Sequence, residues 1–369
     1  MMTNQPMNLK LALRIFGIVA IVLTIFPFIP IDNWSVRIFD FPHLQLTLLT
    51  LFALLFYFLR FEIRQKLDYV FVISLSACLF FQGVKIYPYT AFSQHEVLEG
   101  DVNAEESIKI YTSNVLQKNK NFSKAISEAK HFDADLMVFT ETNENWIDKL
   151  NTEFLKKYDH TISVPLENTY GMSLYSKFKL FEAGIHYLVE DTIPSIHAKV
   201  LLPSKDTVQI YAIHPAPPTP QHNPSSVDRD AEMMKIAYLA NQSSLPVIVL
   251  GDFNDVAWSE TTSLFQKASG LLDLRKGRGF FSTYNANKWI TRWPLDHIFT
   301  SAEFRIMDVQ LGNHVGSDHY PFYSHLSFEP ELAKEQRLPA ASKEILQKAF
   351  KQIKKENEED SEQQSENNE

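Results

Sequence analysis

The chain has 369 residues, of which 45% are hydrophobic, and it carries a formal net charge of −9. Residues 101–330 hold 21 basic and 28 acidic side chains; this acidic balance weighs against a protein that binds long nucleic acid, because such proteins usually present a basic surface. The single cysteine, Cys78, excludes a disulfide within the chain and a cysteine-ligated metal site.

Three apolar runs near the N-terminus predict a membrane anchor. Charged side chains are absent from residues 15–31, 44–59 and 69–84. With its flanks, each run reaches the roughly 20 residues that a helix needs to cross a bilayer. A cleavable signal peptide and three buried helices of a soluble core are weaker alternatives, since no small-residue cleavage site follows the first run and the second lacks a polar face. We therefore predict an anchor over residues 1–90, with transmembrane helices at about 11–31, 41–60 and 68–87.

The distribution of positive charge predicts how this anchor is oriented. Lys10 and Arg14 precede the first span, and three basic residues lie between the second and third spans, whereas the loop between the first two spans carries only Arg37. Positive charge near membrane helices marks the cytoplasmic side. We therefore predict a multi-pass protein of the cell (inner) membrane, with everything after residue 90 outside the cytoplasm, in the periplasm where the cell has one.

The rest of the chain alternates short apolar strands with amphipathic helices. Residues 91–106 are polar and predict a linker, and residues 107–330 a catalytic domain. Because strands occur in adjacent pairs as well as in strand–helix units, we expect mixed sheets covered by helices. In the polar tail, 331–369, the spacing predicts a helix over about 343–355, and the acidic remainder is predicted to be disordered.

Polar side chains recur at the ends of the predicted strands, where open α/β sheets usually place their sites. They are Asn114, Glu141, His214, Asp252, Asn254, Asp296, Asp318 and His319. Each residue alone has an ordinary explanation as a turn, loop or surface residue. Those explanations do not predict that carboxylate, amide and imidazole groups recur in this order at successive strand ends. Converging carboxylates need a cation or an imidazolium to remain ionised. Oxygen ligands without cysteine favour Mg²⁺, with Mn²⁺ or Ca²⁺ as alternatives.

The ordered motifs SNV, TE, GMSLYSK, HP, GDFN, LDHIF and GSDHYP resemble those of the endonuclease/exonuclease/phosphatase superfamily. The resemblance covers residues 108–328 and is nearest to pancreatic-type deoxyribonucleases and sphingomyelinases, within a bacterial membrane-anchored subgroup. It implies an α/β (α+β) fold, a four-layer sandwich of two mixed β-sheets flanked by helices, here preceded by three transmembrane helices.

The resemblance also implies roles for individual residues. Glu141, with Asn114 and Asp318, would hold the metal. Asp252 would orient or deprotonate the attacking water, and His214 would protonate the leaving oxygen. A second set would bind the substrate phosphate: Asn114, Asn254, His319 and, from the helix after HPAPP, Arg229. Asp296 would orient the ring of His319.

Two positions depart from the pattern of abasic-site endonucleases. Leu116 stands where those enzymes have an aspartate, and His214 where they have a tyrosine. Both favour the two-histidine branch of the superfamily. We therefore expect a membrane-anchored, divalent-metal-dependent phosphoester hydrolase that acts on a phosphodiester or lipid headgroup. Its partners would be the bilayer and this substrate, with no obligate protein partner. An extracytoplasmic nuclease and a catalytically silent binding module are the alternatives.

Overall fold

A computed structural model describes residues 9–104, 106–220 and 223–366. The N-terminal part contains three long helices, α1 (Leu9–Ile25), α3 (His43–Tyr57) and α4 (Lys66–Ile86), with a short helix α2 (Trp34–Arg37) between the first two. Each long helix continues into a 3₁₀ turn. The resulting apolar helices, Leu9–Phe28, His43–Arg60 and Lys66–Tyr89, are long and apolar enough to cross a membrane. They occupy the three predicted positions.

The three long helices pack through small and polar side chains, as membrane helices do. Gly17 of α1 lies against the ring of Phe71, where an added Cβ would meet a ring carbon at 2.4 Å. Gln82 donates to the hydroxyls of Thr24 at 2.6 Å and Thr50 at 3.0 Å. These contacts join all three helices into one bundle.

The rest of the chain is built around two six-stranded sheets. Their strands, in chain order, are β1 (Ser107–Asn114), β2 (Leu136–Thr140), β3 (His160–Val164), β4 (Met172–Ser176), β5 (Lys179–Tyr187), β6 (Pro194–Leu201), β7 (Thr207–Ile213), β8 (Val247–Asp252), β9 (Leu272–Asp273), β10 (Asp296–Thr300), β11 (Phe304–Leu311) and β12 (Phe322–Phe328). The strand order is β11-β12-β1-β2-β4-β3 in one sheet and β5-β6-β7-β8-β10-β9 in the other. Each sheet has one parallel pair, β1/β2 or β7/β8, among antiparallel neighbours.

Apolar side chains between the two sheets form the main core, in which Ile110 and Leu250 are fully buried. Helices α5 (Phe122–Phe132) and α6 (Glu144–Phe154) cover the outer face of the first sheet. The second sheet is covered by α7 (Val227–Gln242), α8 (Glu260–Ser269) and α9 (Lys343–Glu366). The predicted fold of two mixed sheets flanked by helices is therefore confirmed.

The segment predicted as a linker is bound along the domain. Val97 is fully buried in the core between the sheets. The backbone N–H of Gly100 donates to the carbonyl of Ile306 at 2.8 Å, and that of Leu98 donates to the side chain of Gln336 at 2.7 Å. The connection between α4 and β1 is therefore part of the packed structure.

The prediction that the C-terminal helix ends near residue 355 is wrong, because α9 runs to Glu366. Glu356 is buried and pairs with Lys235 of α7 at 3.1 Å, and Glu359 accepts from Ser225 at 3.4 Å. Glutamate and glutamine also have high helix propensity. Tertiary contacts therefore hold this acidic segment as far as Glu359; residues 367–369 of that prediction lie outside the described residues.

The loop between the first two long helices is attached to the two-sheet domain. Asn33 forms an antiparallel β-bridge with Ser225, and the indole of Trp258 donates to the carbonyl of Asp40 at 2.8 Å. Past the third long helix, the Tyr89 hydroxyl donates to the carbonyl of Ala257. A bilayer crossed by the three helices would thus have this loop and the domain on the same side, as in the predicted orientation.

Candidate functional site

The register of the central strands brings the predicted residues to one edge of the sandwich. In the parallel β1/β2 pair, Asn114 aligns with Thr140, the residue before Glu141. In the parallel β7/β8 pair, Ile213 aligns with Gly251, so the next residues, His214 and Asp252, are neighbours. Asp296 begins β10 directly opposite Asp252 in an antiparallel pair. Strand pairing alone therefore gathers residues that are far apart in the sequence.

Asn114 links the two sheets through a pair of carboxylates. Its Nδ2 donates to Oε1 of Glu141 at 2.8 Å and to Oδ2 of Asp252 at 3.0 Å. Its Oδ1 accepts from the backbone N–H of Leu116, which fixes the orientation of the amide. Glu141 also accepts from the backbone N–H of Gln117 at 3.1 Å. Glu141 and Asp252 are thus held close together by a shared donor.

His319 is held between two aspartates. Its Nδ1 lies 2.7 Å from Oδ2 of Asp296, and its Nε2 lies 3.6 Å from Oδ2 of Asp252. Burial lowers the pKa of an imidazole, but the Asp296 and Asp252 carboxylates outweigh burial here and raise the pKa of His319 to about 10. The ring is therefore a buried cation at neutral pH, suited to binding a phosphoryl oxygen.

His214 approaches the same carboxylate oxygen of Asp252. Its Nε2 is 3.8 Å from Oδ2 of Asp252, and its ring is tilted against Tyr170 at a centroid distance of 5.4 Å. Asn254 donates from Nδ2 to the carbonyl of Pro215 at 3.0 Å, so the HP and GDFN loops are tied together. Oδ2 of Asp252 therefore has two imidazole nitrogens within 3.8 Å.

Two glycines are required by the backbone around these residues. An added Cβ at Gly251, where φ is +133°, would lie 2.1 Å from the carbonyl oxygen of Ile213. At Gly316, where φ is +91°, it would lie 2.7 Å from the side chain of Asn121. The glycines of GDFN and GSDH thus allow neighbouring chain segments to approach closely enough to form the site.

Arg229, a candidate phosphate ligand, is turned away from the site. Its side chain is fully enclosed, with NH2 2.8 Å from Asp230, NH1 3.4 Å from Asp255, and NH1 donating to the carbonyl of Asn254 at 3.0 Å. A guanidinium paired in this way has no free donors facing the cavity. The prediction that Arg229 binds substrate phosphate is therefore corrected: it supports the loop that carries Asn254.

The site residues meet at a cavity of about 330 Å³. Glu141, His214, Asp252, Asn254, Asp318 and His319 line it, whereas Asn114 and Asp296 lie buried behind it. Part of its wall comes from the loop between the first two long helices, through Trp34, Arg37, Ile38 and Phe41. Aromatic residues of the domain, Tyr170, Tyr284 and Trp293, complete the wall.

Sequence reasoning missed several contributors to this site. Thr283 accepts from the backbone N–H of Asp296 at 3.1 Å and so fixes the start of β10. Trp34 and Ile38 were assigned only to an interhelical loop, and Phe41 to the start of the second predicted span. Their aromatic and aliphatic character beside a membrane helix was the available signal, but it fits an interfacial anchor equally well.

The donor set fits a divalent cation with oxygen ligands. Oδ1 of Asp296 and Oδ1 of Asp318 are buried and have no hydrogen-bond partner among the described residues, so each offers a free lone pair. Asp252, Asp296 and His319 also lie within 4.8 Å of one another and form a possible metal group. Nδ1 of His319 is already bound to Asp296, so in this group only Nε2 and the carboxylate oxygens could face an ion.

The comparisons agree with this arrangement of motifs. The sequence model of the Endonuclease/Exonuclease/phosphatase family matches residues 111–319, more than half of the chain. The chain belongs to this family. Solved structures of similar fold include D. rerio TDP2 complexed with single strand DNA product, which is 16% identical with a TM-score of 0.51, over 60% of this chain and 98% of that chain.

An endonuclease/exonuclease/phosphatase from Bacteroides vulgatus is 16% identical with a TM-score of 0.50, over 60% of this chain and 99% of that chain. At these identities the similarity concerns the fold. No curated protein matches the chain. The aligned 60% of this chain corresponds in length to residues 107–330, and it covers nearly the whole of both solved structures.

Proposed function

We propose that the protein is a membrane-anchored, divalent-metal-dependent phosphoester hydrolase that acts outside the cytoplasm on the headgroup phosphoester of a lipid. The observation that carries the proposal is the wall of the catalytic cavity. Ile38 and Phe41 belong to the loop between two candidate membrane spans, and they line the same cavity as His319. A substrate with an apolar portion would therefore contact the anchor while its phosphate contacts the site.

The chemistry rests on the side chains around Asp252. We assign Asp252 to the attacking water, which it orients and deprotonates, and the His319 cation to the scissile phosphoryl group. We assign His214, whose Nε2 lies 3.8 Å from Oδ2 of Asp252, to donate a proton to the leaving oxygen. Asn254 adds a donor to the phosphate. Glu141, Asn114 and Asp318 would hold the ion, which supplies Lewis-acid stabilisation of developing negative charge.

A nuclease is the second candidate, and one comparison favours it. The D. rerio TDP2 structure of similar fold is complexed with single strand DNA product. The acidic balance of residues 101–330 opposes it, because phosphate-rich polymers are usually held by lysine and arginine. The apolar wall also offers a long polyanion few contacts.

The deciding experiment compares substrates on the full-length protein reconstituted in vesicles with Mg²⁺. Phospholipid vesicles, a single-stranded oligonucleotide and a soluble aryl phosphodiester are supplied in turn to the native chain and to the Glu141→Gln and His319→Gln variants. We expect lipid hydrolysis that both variants abolish. Faster cleavage of the oligonucleotide would favour the nuclease. Full activity in both variants would contradict this site, and absence of both hydrolysis and metal binding would favour a silent binding module.

The orientation has its own test. A reporter enzyme that is active only outside the cytoplasm is fused after residue 369 and, separately, within the loop between α3 and α4. We expect activity from the first fusion and none from the second, because the two positions lie on opposite sides of the predicted membrane. The reverse result would refute the extracytoplasmic location without bearing on the reaction.

A further inference from the structure

A second, larger cavity lies away from the catalytic residues, at the junction of the anchor and the domain. Its volume is about 740 Å³. One wall is the end of α4 and the 3₁₀ turn that follows it, a second wall is α8, and a third is the basic part of α9. The proposed reaction uses none of these walls, although Arg37 borders both cavities.

The lining of this cavity is strongly basic. Glu260 is the one acidic residue of the lining. Besides Arg37, the lining includes six lysines: Lys85, Lys267, Lys276, Lys348, Lys351 and Lys355. The three lysines from α9 lie at spacings of three and four residues, which places them on one face of the helix. Like charges at these spacings destabilise a helix unless negative charge lies nearby.

Carboxylates of the protein balance only part of this charge. Lys276 pairs with Glu96 at 3.0 Å, Lys348 with Glu344 at 2.8 Å, and Lys355 with Asp32 at 2.5 Å. Lys85 lies 3.9 Å from Asp40, and Arg37 shares Asp32 with Lys355. Within the described part of the chain, Lys267 and Lys351 form no ion pair. Glu260 on the wall and Glu359 near Lys355 add negative charge, but the cations still outnumber these carboxylates.

The position of the cavity, beside a candidate membrane span, favours a membrane lipid as the molecule that carries the bound anion. Val84, Pro88 and Tyr89 line it, and they belong to the final turns of the third candidate span, Lys66–Tyr89. Val84 is 56% exposed. Given the membrane anchoring that we propose, these residues lie at headgroup level, with apolar surface on the bilayer side and lysines on the domain side.

We propose that this cavity binds the phosphate headgroup of an anionic membrane phospholipid, with the lysines of α8 and α9 around the phosphate and the end of α4 beside an acyl chain. Such a lipid would hold the C-terminal helix against the anchor. The proposal rests on membrane anchoring but not on hydrolysis. It concerns a bound lipid at a position distinct from the substrate.

The test measures thermal unfolding of the full-length protein in neutral detergent, with three additions in parallel. Dioleoyl phosphatidylglycerol is the probe, dioleoyl phosphatidylcholine is the neutral lipid, and inorganic phosphate is the free anion. We expect phosphatidylglycerol alone to raise Tm, by about 5 °C at saturating concentration, and expect the increase to shrink at high salt because exposed charges are screened. An equal increase with inorganic phosphate or phosphatidylcholine would overturn the lipid assignment.

Matched variants locate the effect. In the Lys267→Gln/Lys351→Gln double variant we expect about 25-fold weaker phosphatidylglycerol binding, about fivefold for each charge removed. The control, Lys149→Gln/Lys156→Gln, makes the same charge change at two exposed lysines on and just beyond α6, over the other sheet, and should bind normally. The His319→Gln variant should also retain the shift. Equal weakening in both lysine pairs, or loss of the shift only in His319→Gln, would refute the proposed site.

Discussion

Asp296 accepts a hydrogen bond from Nδ1 of His319 at 2.7 Å, and it does so from the position directly opposite Asp252 in the β8/β10 pair. The strand register thus fixes the distance between the carboxylate that orients the imidazole and the carboxylate that faces its other nitrogen. A shift of one residue in this register would turn Asp296 to the opposite face of the sheet.

The first prediction concerns this contact. Asp296→Asn keeps the size of the side chain but removes the charge that favours protonated His319, so we expect kcat to fall about 10²- to 10⁴-fold with little change in KM. Steady-state kinetics on the soluble diester measure the effect. The exposed Asp206→Asn variant removes the same charge far from the site and should behave as the native chain. Equal kinetics in the two variants would exclude an orienting role.

The second prediction concerns the cation. Removal of divalent ions with a chelator should abolish hydrolysis, and added Mg²⁺ should restore it. Glu141→Gln should weaken Mg²⁺ binding, measured by calorimetry, by about tenfold or more. His319→Gln should leave Mg²⁺ binding intact, because a doubly protonated imidazole is not a ligand. Loss of binding only in His319→Gln would instead assign the ion to the group with Asp252 and Asp296.

The third prediction separates the membrane-side wall from the catalytic groups. Ile38 lines the cavity and is 43% exposed. Ile38→Ala should lower kcat/KM for phospholipid by about fivefold through lost apolar contact, while kcat/KM for the soluble diester stays unchanged. Ile63→Ala, at an exposed position near the other end of the helix bundle, is the matched control. A similar loss on both substrates would argue against contact with an apolar part of the substrate.

The fourth prediction follows from the burial of Arg229. Arg229→Gln leaves Asp230 and Asp255 without their buried cation, so it should reduce the free energy of unfolding by about 3 kcal/mol or more. Thermal unfolding should show the loss directly. If Arg229 instead bound substrate phosphate, the variant would retain native stability and show a raised KM.

The fifth prediction concerns pH. Burial, together with the Glu190 and Asp228 carboxylates, raises the pKa of Glu232 from its ordinary 4.5 to about 8, against the opposing effect of Lys235. The folded state therefore keeps a proton that the unfolded state releases above pH 4.5, and the stability from this group is lost as pH rises through 8. Tm should decline from pH 5 to 9, and less steeply in Glu232→Gln than in the exposed control Glu331→Gln. Identical slopes would contradict this origin.

Much of the site could be predicted because it is built from strand ends. Asn114, Asp252 and Asp296 follow or begin apolar strands, so local pattern and strand pairing are sufficient to bring them together. Arg229 could not be placed in this way. Its partner Asp255 lies 26 positions along the chain and meets it only after α7 packs on β8. A helical arginine near a candidate site looks the same in sequence whether it faces inward or outward.

The wall of the catalytic cavity and the full length of α9 depend on contacts between distant segments. Asn33 meets Ser225, and Glu356 meets Lys235, through pairings that no local periodicity encodes. Strands β3 and β5 give only a weak signal in the sequence, because their residues are mostly partly buried or exposed and their alternation is weak. Tertiary packing, more than local sequence pattern, therefore determines the cavity wall, the length of α9 and the strands β3 and β5.

The bridge between Asn33 and Ser225 has a consequence for how the protein is made. Chains are synthesised from the N-terminus, and domains generally fold in that order. The loop that contains Asn33 would therefore reach its side of the membrane long before Ser225 leaves the ribosome. With the anchoring that we propose, the domain would complete its fold against a surface that is already held at the bilayer. Released from that surface, residues 107–330 would form their sheets around a cavity that is open on one side.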